Sequence, residues 1–249
     1  MSDQISIREV FSSIQGEGLL AGLRQIFIRL AECNLDCRYC DTAHGRDDQC
    51  NIETYPGSGV FASQPQPPTL HKLIEIVTGW KDQVPQGHHS ISITGGEPLL
   101  HAEALVEWLP GLRSLLPIHL ETNGTMHLAL QRVIAHLDGV SMDMKLPSTS
   151  GCTEHLWGLH REFLQVAVAC SVSVKVVVGA ETPDDEIRQV CSIVGAVGQH
   201  VPLFLQPLTL PGGKLGITAR RLLQLQAVAA SLAPDVRVMP QMHLMLGAL

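Results

Sequence analysis

Gln25-Ile26-Phe27-Ile28-Arg29-Leu30 runs straight into Ala31-Glu32-Cys33-Asn34-Leu35-Asp36-Cys37-Arg38-Tyr39-Cys40-Asp41-Thr42. The first part is apolar and strand-like. The second holds three cysteines as C-x3-C-x2-C. Three thiolates this close can wrap one metal centre from a single loop. Structural zinc takes four ligands and closes its site. A [4Fe–4S] cluster usually takes four cysteines. Three cysteines with no near fourth ligand therefore point to a cluster with one iron left open. Three plainer readings stand beside this one. Cys37 and Cys40 also fit a C-x-x-C dithiol. His44 or Cys50 would complete a zinc site. Small buried thiols also occur as ordinary core residues.

Outward from this stretch, strand and helix patterns alternate. β-branched runs lie at Gln25–Leu30, Ser90–Thr94, Ile118–Glu121, Val140–Met144, Val172–Val178 and Pro202–Gln206. Helix-period stretches lie at Leu70–Trp80, Ala102–Arg113, Leu128–Leu137, Glu154–Ala169, Asp184–Val197 and Ala219–Leu232. Such alternation implies parallel strands joined by right-handed crossovers. The expected fold is α/β, a partial (β/α)6 TIM-like barrel, with 1–249 as one domain. Its site belongs at the C-terminal strand ends. The motifs agree: the cysteine loop, Thr94-Gly95-Gly96-Glu97-Pro98, Glu121-Thr122-Asn123-Gly124, Asp143-Met144-Lys145 and Gln206-Pro207-Leu208 each end a strand, while Lys175 sits within one. Ala43–Pro68, rich in Gly, Pro, Gln and Ser, reads as a long loop insertion with little regular structure. Phe11–Gly18 reads locally as a Gly-rich turn.

The formal net charge is −7 and charged residues make up 16%. That balance disfavours nonspecific nucleic-acid binding, which needs Lys and Arg to neutralise phosphate. No signal peptide is visible at Met1–Ile5 and no apolar run spans a bilayer. The seven cysteines are odd in number and three are clustered, which fits a reducing cytoplasm better than a disulfide framework.

Two glycines in Gly95-Gly96-Glu97-Pro98 allow close backbone approach to a ligand, and the Glu carboxylate suits an ammonium group. With Tyr39 just before the third cysteine, loop and turn together resemble the radical S-adenosylmethionine (SAM) superfamily. Phe11-Ser12-Ser13-Ile14-Gln15-Gly16-Glu17-Gly18, Arg29, C-x3-C-x2-C-D-T and Glu121-Thr122-Asn123-Gly124-Thr125 resemble, in combination, the 7-carboxy-7-deazaguanine synthase family. Gln206-Pro207-Leu208 and Pro240-Gln241-Met242-His243 continue the resemblance.

That resemblance implies a radical SAM lyase acting on 6-carboxy-5,6,7,8-tetrahydropterin. Ring contraction would give 7-carboxy-7-deazaguanine and ammonia, toward queuosine and other 7-deazapurines. It implies a homodimer, Mg²⁺ and a reductant protein such as flavodoxin or ferredoxin. Cys33, Cys37 and Cys40 would hold the cluster. Tyr39, Gly96, Glu97, Asp143, Met144, Lys145 and Gln206 would contact SAM. Ile14, Gln15, Gly16, Glu17, Arg29, Thr94, His243 and the Leu249 carboxylate would contact the pterin, and Thr42 would ligate Mg²⁺. Many relatives carry Ser-Pro-Lys at Asp143-Met144-Lys145, so only the lysine matches there. Two rivals are a glycyl-radical activase and a non-catalytic iron–sulfur or zinc protein. The first has no need of the I-Q-G-E-G segment or Arg29. The second has no use for G-G-E-P.

Overall fold

Parallel strands covered on both faces read as near-continuous apolar runs, and Arg24–Leu30 is one: Ile26, Phe27, Ile28 and Leu30 are all buried. The computed structural model describes residues 5–40, 45, 48–66, 68–153, 156–197 and 200–248. In chain order, β1 (Ile7–Ile14) turns back into β2 (Arg24–Leu30), and β3 (Gln49–Glu53) and β4 (Phe61–Pro65) follow the cysteine loop. Then α1 (Leu70–Gln83), β5 (Ser90–Gly95), α2 (Ala102–Arg113), β6 (Ile118–Thr122), α3 (His127–Val133) and β7 (Gly139–Asp143) alternate. A short α4 (Pro147–Ser150) precedes α5 (Leu156–Ala167), β8 (Ser171–Val178), α6 (Asp184–Gly195) and β9 (Leu203–Pro207). The chain closes with α7 (Ala219–Ala230), β10 (Val236–Val238) and α8 (Met242–Leu246).

The strands form one sheet in the order β10-β9-β8-β7-β6-β5-β2-β1-β3-β4. From β10 to β2 every neighbour is parallel. The two outermost strands do not pair with each other, so the barrel is open, as expected for a partial one. Its core packs Leu73 and Val77 of α1, Leu105 and Leu109 of α2 and Phe163 of α5 with strand residues such as Ile91, Leu120, Val174 and Leu205. Local signals set the helix starts. Thr69 and Thr218 accept the backbone N–H of Lys72 and Arg221 at 3.2 Å as N-caps. Asp184, Asp185 and Glu186 load the first turn of α6, where the helix dipole favours acids.

Two expectations are corrected. Phe11–Ile14 is the end of a strand: β1 pairs antiparallel with β2, and Phe11 stacks on Phe27 with ring centroids 5.0 Å apart. The Ala43–Pro68 insertion carries an antiparallel hairpin, with β3 parallel to β1. Cys50 and Ile52 alternate with polar neighbours and are buried against the core. Buried Glu53 pins this addition, accepting backbone N–H groups from Ser12 at 2.9 Å, Gly57 at 3.0 Å and Gly59 at 2.7 Å.

At the end of β5 the backbone itself needs glycine. Gly95 has φ +132, and a Cβ there would overlap the Leu30 backbone. A Cβ on Gly96 would overlap the Glu32 carbonyl. The Glu97 N–H donates to that same carbonyl at 2.8 Å, seating the turn on the start of the cysteine loop.

Candidate active site

A cavity of about 780 Å³ opens at the C-terminal ends of the parallel strands. Cys33, Cys37 and Cys40 line it together with Arg29 from β2, Thr94 near the end of β5, Gly96 just after it, and Glu121 at the end of β6. Asp143, Lys145, Lys175 and Gln206 face it from β7, β8 and β9 and the residues just after β7. Ile14, Gln15, Gly16 and Glu17 enter from the β1–β2 turn, and His243 from α8. Segments far apart in sequence therefore meet at one place. Thr42 and Leu249 lie outside the described residues.

None of the three loop cysteines, nor any other described cysteine, is in a disulfide. Cys33 Sγ already accepts the Leu35 N–H at 3.5 Å and the Asn123 side-chain amide at 3.8 Å. Asn123 also donates to Asn34 at 2.8 Å, and Asn34 donates to Thr125 at 2.9 Å, so the end of β6 braces the loop. Two N–H donors on the Cys33 sulfur suit a metal-bound thiolate. Among the described residues no three His, Cys, Asp or Glu side chains converge on a single ion. Cys50 is buried in the core, away from the loop thiols, so it completes no zinc site with them.

Behind the loop stands a buried charge network. Lys145 donates to Asp143 Oδ2 at 2.9 Å, and Lys175 approaches the same oxygen at 3.2 Å. Lys175 also pairs with Glu17. Gln206 and Gln241 donate to the other Glu17 oxygen at 3.1 and 3.0 Å. Burial pushes the Asp143 carboxyl up, but Lys145 and Lys175 outweigh it and hold it down to about 2. Glu17 is likewise held below the usual range: burial raises it, and Lys175 more than offsets this. Burial favours the neutral form of both lysines, and Asp143 reverses the effect, so both stay charged. Lys145 Nζ lies 5.1 Å from the Tyr39 ring centroid. The Tyr39 hydroxyl and Asp143 Oδ1 are buried with no partner among the described residues. Polar ligands in the cavity would satisfy them.

Arg29 donates to Glu9 at 2.7 Å, and its guanidinium lies 5.4 Å from the Phe11 ring centroid. Strand register sets it opposite Thr94. Thr94 donates to Glu121 at 3.1 Å, and Glu121 also accepts from Ser92 and Gln15 at 2.7 Å each. Three expected contacts are placed differently. Glu97 is fully buried and turned inward, accepting from Leu99 N, Thr122 Oγ and Asn123 N. In this structure it ties β5 to β6, away from the cavity. The Met144 side chain is buried in the apolar core. The Gln15 amide is spent within the protein, donating to Gln25 and Glu121 and accepting from Glu17 N. Conversely, the expected contacts omitted Lys175 and Glu121, and Glu9 behind Arg29. Lys175 stood out as a lone lysine in an apolar strand, but its partners are remote.

The Radical SAM superfamily profile matches residues 28–163. A 7-carboxy-7-deazaguanine synthase of Geobacter sulfurreducens is 49% identical over 98% of this chain and 97% of that protein. The chain belongs to the 7-carboxy-7-deazaguanine synthase family of radical SAM enzymes. A second such synthase, from Methanothermobacter thermautotrophicus, is 37% identical over 97% of this chain and 96% of that protein. The crystal structure of QueE from Escherichia coli superposes with a TM-score of 0.63, covering 96% of this chain and 95% of that one at 22% identity, and so shares the fold. The cofactors are accordingly a [4Fe–4S] cluster and SAM, and the three thiols, the N–H donors at Cys33 and the unpartnered polar atoms of Tyr39 and Asp143 fit both.

Within the family fold, Gly16 sets how closely α8 seats. Its carbonyl accepts Met242 N–H at 3.0 Å, and a Cβ on it would overlap both the ring and the backbone N of His243. Gly16→Ala is expected to push α8 outward and lower turnover roughly 10²-fold, the scale for a displacement of about 1 Å at a reacting site. Hydrogen exchange confined to α8 and the β1–β2 turn would accompany it. Full turnover would show that α8 does not contribute.

Proposed function

We propose that this chain converts 6-carboxy-5,6,7,8-tetrahydropterin to 7-carboxy-7-deazaguanine with loss of ammonia. One observation carries the reading: a single cavity gathers the three cysteines with the I-Q-G-E-G turn and Arg29. A glycyl-radical activase, acting on a protein, has no use for the last two. Cys33, Cys37 and Cys40 would hold the cluster, with Tyr39, Gly96, Asp143, Lys145 and Gln206 on the SAM side. Bound together, a reduced [4Fe–4S] cluster and SAM supply one-electron chemistry capable of hydrogen abstraction.

The chain's own residues bind and orient. Arg29 has a planar fork of donors that matches a carboxylate, and Glu9 and Phe11 hold that fork at the cavity wall. Thr94 and Glu121 stand beside it. Glu17 meets the amino-pyrimidine edge: a carboxylate offers about four acceptor positions, and Lys175, Gln206 and Gln241 leave one open. Gln15 orients Glu17 through its backbone N–H. Glu97 is a positioning residue that holds the glycine turn against the cysteine loop. His243 closes the substrate side.

Mg²⁺ at Thr42, a pterin contact from Leu249, a single domain over 1–249 and a homodimer complete the reading. An electron-transfer protein such as flavodoxin or ferredoxin would supply the electron. Seven cysteines with no disulfide among them suit a reducing compartment such as the cytoplasm. No helix among the described residues is long and apolar enough to cross a membrane.

The test is turnover with carboxytetrahydropterin, SAM, Mg²⁺ and a strong reductant, read by product mass. Uncoupled 5′-deoxyadenosine with no deazapurine would end the substrate assignment. Arg29→Ala is expected to weaken pterin binding by roughly 2–5 kcal/mol, the cost of stripping one partner from a desolvated charge pair. SAM affinity should hardly change. Equal loss of both ligands would remove Arg29 from substrate recognition.

A further inference from the structure

A fourth thiol stands behind the cluster loop. Cys152 Sγ lies 3.9 Å from Cys37 Sγ, although 115 residues separate them. Both residues are half-buried, and Cys152 lies outside the cavity lining. Their approach is built by the backbone. Arg38 N–H donates to the Ser150 carbonyl at 2.9 Å, and Cys152 N–H donates to Ser150 Oγ at 3.1 Å. Gly151 between them is left-handed, with φ +74, and a Cβ there would press on Arg38. The segment after α4 is thus laid along the cysteine loop and delivers its thiol to one of the three loop cysteines.

We propose that Cys37 and Cys152 form a reversible disulfide in the iron-free chain, which shields a cluster ligand and bars iron until it is reduced. The proposal rests on Cys37 being a cluster ligand. A disulfide brings two sulfurs to about 2.05 Å, so the pair must close by roughly 2 Å, a movement open to the short, half-buried segment around Gly151. The oxidant is a small-molecule disulfide such as oxidised glutathione. Cys37 thiolate attacks one of its sulfurs, breaking that S–S bond and releasing one glutathione thiolate. Cys152 thiolate then attacks the Cys37 sulfur and releases the second glutathione thiolate. The chain gives up two electrons and two protons, and the oxidant becomes two thiols.

The experiment treats iron-free protein with oxidised glutathione and maps it without reductant. Trypsin cuts after Arg38, so Cys37 and Cys40 fall in different peptides. The expected product joins peptide 30–38 to peptide 146–161, with fragment ions placing the link at Cys37. Iron uptake without reductant should fall to roughly a tenth of that of untreated protein and recover after dithiothreitol, as thiol–disulfide exchange is reversible. Cys152→Ser should instead leave Cys37 glutathionylated, with unchanged iron uptake before oxidation. Cys152→Ala should behave alike, since the hydrogen bond that ties Cys152 to Ser150 uses the backbone N–H. A main link between Cys33, Cys37 and Cys40, or a Cys37–Cys152 link that takes up iron undiminished, would overturn the proposal. Untreated protein that binds no iron would overturn the cluster reading itself.

Discussion

Cys40→Ala protein, loaded anaerobically with iron and sulfide, is expected to form no 5′-deoxyadenosine from SAM. Wild type should carry about four irons per chain, the content of one [4Fe–4S] cluster. Cys33→Ala and Cys37→Ala should fail in the same way, because the three thiols share one cavity wall and no other described cysteine lines it. The defect should be confined to the metal. These cysteines are exposed or only half-buried, so their removal opens no core cavity and thermal unfolding should barely move. Cys50→Ala is the opposite case: a fully buried thiol on β3, whose loss touches packing and leaves iron content and SAM cleavage intact. Iron analysis, mass detection of 5′-deoxyadenosine and a melting curve separate the two. Undiminished SAM cleavage by Cys40→Ala would end the cluster assignment.

Lys175→Met should destabilise the fold by roughly 3–5 kcal/mol, the range for breaking a buried ion pair from one side. Lys175 links Glu17 of the β1–β2 turn to Asp143 at the end of β7, with all three side chains less than a fifth exposed. Its removal leaves Glu17 with amide donors only and Asp143 with Lys145 alone. Adding Glu17→Gln should recover part of the loss, because the remaining uncompensated charge is then removed. The pH dependence follows from the carboxylate. Asp143 is held down to about 2 by Lys145 and Lys175, below its unfolded value of about 3.9. Its contribution is therefore complete above about pH 4 and is lost as pH falls through about 2. Lys175 is shifted upward, so its part is complete below its unfolded value of about 10.4 and is lost only as pH rises above that. Between these limits the wild-type advantage over Lys175→Met should be level, and it should shrink in acid. Urea midpoints at constant slope would measure it. A difference below about 1 kcal/mol at neutral pH, the ordinary worth of a surface pair, would mean that the network is solvated.

Six strands and six helices were legible in the chain because each carries its own signal. β-branched runs such as Ser90–Thr94 and Val172–Val178 need no knowledge of their neighbours to read as buried parallel strands, and the structure places strands at Ser90–Gly95 and Ser171–Val178. The cysteine loop and the glycine turn were legible for the same reason, as short motifs with a chemical requirement. The tertiary structure alone made Phe11–Ile14 a strand: its glycine-rich continuation resembles a turn, and its backbone is taken up by pairing with β2 and by the Glu53 carboxylate at Ser12. The same holds for the β3–β4 hairpin, whose composition favours a loop until Cys50 and Ile52 find a core to enter. Side-chain direction was equally hidden. Glu97 looked like a ligand contact and became an internal tie, because Thr122 and Asn123 bring donors from the next strand. Lys175 meets Glu17 across 158 residues, and Cys37 meets Cys152 across 115. Periodicity and capping act over a few residues and survive in the sequence. Charge pairing and thiol proximity depend on which strand ends the fold brings side by side.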